Sequence, residues 1–144
     1  QLIWQTGRFY YTQIIAEMKK PWDERLRMYD FIKEMQYAYT IADAVVSRAG
    51  ALSISELMLS EKPSILIPSP NVAENHQTLN AQNLISSGAA LMVSDAMAGK
   101  TLIKTVLSLL SDEEKQKELR ENISVMGRPN AATDIAKKVI ELAA

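Results

Sequence analysis

Short apolar runs separated by stretches of helical period constrain this chain more than any other feature. LIWQTG (2–7), RLRMYDFI (25–32), AVVS (44–47), SILIPS (64–69) and AALMVS (89–94) read as strands. Between them apolar residues recur at spacings of three and four. Strands alternating with helices make repeated βαβ units around a mostly parallel sheet, so an α/β, Rossmann-like fold with helices on both faces is expected. The helices are predicted over 9–19, 33–43, 53–60, 75–87, 100–111, 112–126 and 131–143. The first has Tyr10, Ile14, Ile15 and Met18 on one face and stops at Pro21. Gly88 ends the fourth, and Pro68, Pro70 and Asn71 mark the loop before it. Ser111 with Glu114 three residues on reads as the start of the sixth. No repeat or flexible linker interrupts the 144 residues, which predicts one domain.

Composition excludes several classes. Sixteen basic and 17 acidic residues leave a net charge of −1, so no whole-molecule field favours nucleic acid or an anionic membrane. Cysteine is absent and His76 is the single histidine, which rules out thiolate chemistry and argues against a metal site; no cofactor is expected. No apolar run approaches the length of a transmembrane helix. The chain opens at Gln1 and enters an apolar run without a basic leader, which predicts a stretch cut from a longer polypeptide. DEEKQKELRE (112–121) reads as a solvated helix face with pairs such as Glu113 with Lys117.

Ligands of open parallel sheets bind beyond the carboxyl ends of the strands. Three polar segments follow strands: DFIKEM (30–35), SRAGALSISE (47–56) and SPNVAENHQTLNA (69–81). In the second, Ala49, Gly50 and Ala51 keep the chain slim, so that backbone amides can approach a ligand closely. With Ser53 as N-cap, those amides and its hydroxyl stand at a helix N-terminus, which favours phosphate. Ser53-x-x-Glu56 is equally a capping box with a purely structural task. Neither GxGxxG nor GxxxxGK[ST] is present. In the third segment Gln77 and Asn80 are three apart on one helical face, and neutral amides that donate and accept suit sugar hydroxyls.

FIKEM, AYTIADAVVSRAGALSISEL and KPSILIPSPNVAENHQTLNA together resemble the C-terminal half of the MurG family. Its members add N-acetylglucosamine to lipid-linked N-acetylmuramyl-pentapeptide in peptidoglycan synthesis. The resemblance implies the UDP-sugar donor half of an inverting, two-domain GT-B glycosyltransferase, peripheral on the cytoplasmic face of the bacterial inner membrane. It implies that Ile32 reads uracil through its backbone, with Phe31 beside it and Met35 over the base. Gly50, Ala51, Leu52 and Ser53 match the diphosphate turn, Glu56 the acid that binds the ribose hydroxyls, and Gln77, supported by Asn80, the amide that contacts the sugar. The family's GGSxGA loop and its acceptor domain have no counterpart here, so the catalytic base is expected outside these residues, and His76 does not inherit that role. The implied partners are UDP-N-acetylglucosamine and the lipid-linked acceptor. Two other readings stay open: part of a UDP-N-acetylglucosamine 2-epimerase, and a stand-alone donor-binding subunit of a two-subunit transferase.

Overall fold

The computed structural model describes residues 1–18, 23–70 and 75–143. They divide into two compact units, Gln1–Ile41 and Ala42–Ala144, each of which is built from parallel strands and helices.

In the first unit β1 (Leu2–Gln5) leads through α1 (Arg8–Glu17) to β2 (Leu26–Tyr29), and α2 (Met35–Ile41) follows. The strands pair in parallel, from Leu2 opposite Leu26 to Gln5 opposite Tyr29. Gly7, at φ 81°, turns the chain from β1 into α1, a conformation that a side chain would strain. The half-buried stripe of α1 is Tyr11, Ile14 and Ile15, continued by Met18. Tyr10 lies off that stripe, 56% exposed, with its ring edge-on to Phe9. The sequence places it one position too early: spacings of zero, three, four and seven start from Tyr11. The expected stop at Pro21 lies outside the described residues.

Strand β2 is shorter than RLRMYDFI because Asp30 leaves the ladder. Its carboxylate accepts from Phe31 N at 2.8 Å, closing a local turn that competes with strand pairing. The following helix is trimmed likewise, from 33–43 to Met35–Ile41.

The second unit contains β3 (Val45–Ser47), α3 (Ala51–Ser60), β4 (Ser64–Leu66), α4 (His76–Ser86), β5 (Leu91–Met92), α5 (Asp95–Leu110), α6 (Glu113–Ser124) and α7 (Ala131–Ala143). Its sheet has the order β3-β4-β5, parallel throughout. The central strand is buried along its length, as the uninterrupted apolar run requires. Ile65, Ile67, Val93, Leu109 and Leu119 form a core against which Ala44, Leu91, Ala98, Leu102 and Val106 pack. Helix α3 buries Ile54 and Leu57 and packs on α4 and α6. Gly127 lies so close to α3 that a β-carbon there would meet the Met58 carbonyl at 3.0 Å. Gly88, at φ 63°, closes α4.

Helix α5 begins at Asp95 rather than near residue 100, taking Gly99 into its interior at a penalty of about 1 kcal/mol. Asp95 in the first turn meets the positive end of the helix dipole. Helix α6 is capped by Asp112, whose carboxylate accepts from Lys115 N at 2.8 Å. Ser111 instead belongs to the end of α5, its amide bonded to Leu107 O. On the solvated face the ion pairs are Lys115 with Glu118 and Lys117 with Glu121.

Candidate functional site

In the first unit the carboxyl ends of β1 and β2 are tied by side chains. Thr6 donates to Tyr29 O through both its amide, at 3.0 Å, and its hydroxyl, at 3.3 Å. Ile32 N donates to Gln5 Oε1 at 2.7 Å. Phe31 is half exposed, with the Arg8 guanidinium 5.4 Å from its ring centroid, a cation–π arrangement. Met35 opens α2 and is half-buried. Thus Phe31, Ile32 and Met35 occupy one short segment beyond β2. Gln5 and Arg8 join them there, and the only hint of this in the sequence is their position on either side of the β1 turn.

In the second unit the turn after β3 departs from the capping-box expectation. The N-cap of α3 is Gly50, at φ −66° and ψ 150°, and Ser53 is the third residue of the helix. The first intrahelical bond runs from Ile54 N to Gly50 O at 2.9 Å. The amides of Ala51, Leu52 and Ser53 precede it and have no carbonyl of the helix to bond. Glu56 lies in the second turn, beyond reach of the N-cap amide that a capping-box glutamate would take. The structural alternative for Ser53-x-x-Glu56 therefore fails, because a cap without a side chain moved the helix start forward. What remains is an N-terminus that opens on Gly50 and Ala51, with no acid in its first turn. Such an end attracts anions through its donors and dipole.

Two amides of α4 hold the adjoining loops. Asn80 Nδ2 donates to Ala49 O at 3.0 Å, and Gln77 Oε1 accepts from Ser69 N at 2.9 Å. These bonds settle which end of each amide is engaged. Among the described residues Gln77 Nε2 and Asn80 Oδ1 make no further hydrogen bond, which leaves donors on one and an acceptor on the other. Arg48 forms an ion pair with Asp95 and donates to Ile67 O at 3.2 Å, linking the ends of β3 and β4 to the start of α5. Its charge is thereby balanced within the protein. His76 is the first residue of α4 and exposed. Among the described residues no group of three acids or histidines is placed to hold a metal ion. Nor is any helix long and apolar enough to cross a membrane.

Residues 1–139 match the model of the glycosyltransferase family 28 C-terminal domain. The chain belongs to this family. Curated relatives include the UDP-N-acetylglucosamine–N-acetylmuramyl-(pentapeptide) pyrophosphoryl-undecaprenol N-acetylglucosamine transferases of Bacteroides thetaiotaomicron, 47% identical, and Bacteroides fragilis, 49% identical. Each alignment covers 99% of this chain but only 38–39% of the relative, so the family 28 chain spans about two fifths of their length. Among solved structures, Acinetobacter baumannii MurG superposes with a TM-score of 0.78 at 23% identity, over 96% of this chain and 40% of that one. The glycosyltransferase of kitacinnamycin follows at 0.69 and 22%, over 96% of this chain and 34% of that one. These likenesses establish the α/β fold expected from the βαβ pattern and the GT-B type that the family resemblance implies.

Proposed function

We propose that residues 1–144 are the donor-binding half of an inverting glycosyltransferase. The complete protein would move N-acetylglucosamine from UDP-N-acetylglucosamine to lipid-linked N-acetylmuramyl-pentapeptide on the cytoplasmic face of the inner membrane. The observation that carries this reading is the near-complete alignment with transferases of that name. The acceptor half, the glycine loop and the catalytic base belong to the remainder of the longer protein.

In this reading the backbone of Ile32 meets uracil, with Phe31 and Met35 against the base. The amides of the Gly50–Ser53 turn hold the diphosphate, Glu56 binds the ribose hydroxyls, and Gln77 with Asn80 engages the sugar. An exposed carboxylate one helical turn from a phosphate-binding serine suits a ribose beside its phosphate. The remaining donor on Gln77 and the remaining acceptor on Asn80 suit hydroxyls, which need both. An acceptor hydroxyl forms the new bond at the anomeric carbon from the face opposite the diphosphate. The bond to the diphosphate oxygen breaks, UDP leaves with the electron pair, and the hydroxyl proton passes to a base outside this chain. The amides and dipole of α3 stabilise charge growing on the departing diphosphate.

The test is transfer of labelled N-acetylglucosamine by the full-length protein to the lipid-linked acceptor, with residues 1–144 assayed alongside. Transfer is expected from the former and none from the latter. Failure of the full-length protein to bind UDP or its sugar would remove the reading, and turnover by 1–144 alone would refute the division of labour.

A further inference from the structure

We propose that Gln5 is an internal stand-in for the nucleobase, occupying the Ile32 amide until a pyrimidine carbonyl displaces it. This rests on the reading that Ile32 meets the base through its backbone. Two side-chain acceptors cover the turn beyond β2: the Asp30 carboxylate takes Phe31 N at 2.8 Å, and Gln5 Oε1 takes Ile32 N at 2.7 Å. The first bond links neighbouring residues and shapes the turn. The second spans 27 positions and joins the end of one strand to the segment beyond the next.

An amide N–H carries one hydrogen, so Gln5 and a base carbonyl compete for it. They are also the same kind of group. A carboxamide C=O presents at Ile32 the acceptor that a uracil C=O presents, and neither is charged. Gln5 is exposed, so on release its amide returns to water without leaving a buried polar group unpaired. The strand beneath does not depend on it, because β1 is held to β2 by the backbone ladder and by Thr6. Base binding at this donor is therefore an exchange of one hydrogen bond for another, and Gln5 sets its strength.

The alternative is a strap that holds Ile32 in place while the base binds elsewhere on the turn. Two substitutions in the full-length protein separate the two, because they have opposite signs. Gln5→Met keeps length and removes the acceptor. Gln5→Glu keeps the acceptor and makes its bond charge-assisted and stronger. Calorimetry with UDP, and with uridine so that the added charge does not act on a diphosphate, reads both. For a stand-in, Gln5→Met tightens both ligands by about 2- to 10-fold, the worth of one net hydrogen bond, and Gln5→Glu weakens uridine. For a strap, Gln5→Met weakens both ligands and Gln5→Glu spares uridine; unchanged affinities overturn the proposal equally. A second readout in the unsubstituted protein is the Gln5 side-chain amide NMR signal, which moves to the position of a solvated glutamine when UDP is added. An unmoved signal with UDP bound overturns the stand-in alone. Absence of UDP binding to the unsubstituted protein overturns the functional reading beneath it as well.

Discussion

Replacing Asn80 by aspartate changes one atom of the contact between α4 and the turn that leads from β3 into α3. Asn80 Nδ2 donates to Ala49 O at 3.0 Å, and Ala49 is fully buried, so water does not readily take over the carbonyl. Asn80→Ala leaves it unpaired, a loss of about 1–3 kcal/mol, offset by roughly 0.5 kcal/mol of helix propensity. Asn80→Asp keeps shape and propensity but sets a carboxylate oxygen against the carbonyl. At neutral pH it is expected to destabilise by more than the alanine. Protonation restores a donor, so the carboxyl in this variant has a raised folded-state pKa. Its bond is then present below the ordinary carboxylate range and lost as pH rises through the raised value. Urea denaturation of both variants at neutral and acid pH, with UDP titrations in parallel, reads the effect. An aspartate variant as stable as the parent at neutral pH would show that Nδ2 does not hold Ala49, and the link between α4 and the turn would fall with it.

Three further outcomes are expected. Gly50→Ala meets only Ser53 Oγ, at 3.9 Å, in a backbone conformation open to any residue, so stability falls by about 1 kcal/mol or less; on the proposed diphosphate role of this turn UDP affinity falls further, because the β-carbon would crowd the ligand, and equal affinity would discount the turn as the diphosphate site. Glu56→Ala weakens UDP by about 1–3 kcal/mol with little change in melting, and unchanged calorimetric affinity would free Glu56 from the ribose role. The side-chain hydrogen bond from Arg25 holds the Asp23 carboxyl below its usual range; Arg25→Ala is expected to return its NMR titration midpoint upward. The sign is that of a depressed acid: the contribution exists above the unfolded-state pKa and disappears as pH falls through the folded-state one.

The βαβ order was legible in the sequence because periodicity reports which faces are apolar, and packing on a parallel sheet enforces both periods. Helix starts were less legible. Gly50 caps α3 without a side chain, so nothing marks it, whereas Ser53 and Glu56 carry the pattern of a cap they do not form. Ser111 and Asp112 are both good capping residues in succession, and only the end of α5, which claims Ser111, decides between them. The strands are shorter than their apolar runs because burial continues past the ladder: Ala89, Ala90 and Val93 are buried around a β5 of two residues. For the candidate site, the segments were visible but their ties were not. Gln5 to Ile32 and Asn80 to Ala49 join residues far apart in the chain, and no local pattern encodes a bond that the fold creates.

The two amides of α4 carry a constraint on chain length. Gln77 grips the segment after β4 and Asn80 the segment after β3, from positions less than one turn apart on the same helix. One residue inserted between them would swing Asn80 by roughly 100° around the helix axis, and no rotamer restores its hold on Ala49. Homologous proteins that use this arrangement are thus free to vary in the loop before α4, yet must keep the count from 77 to 80 unchanged.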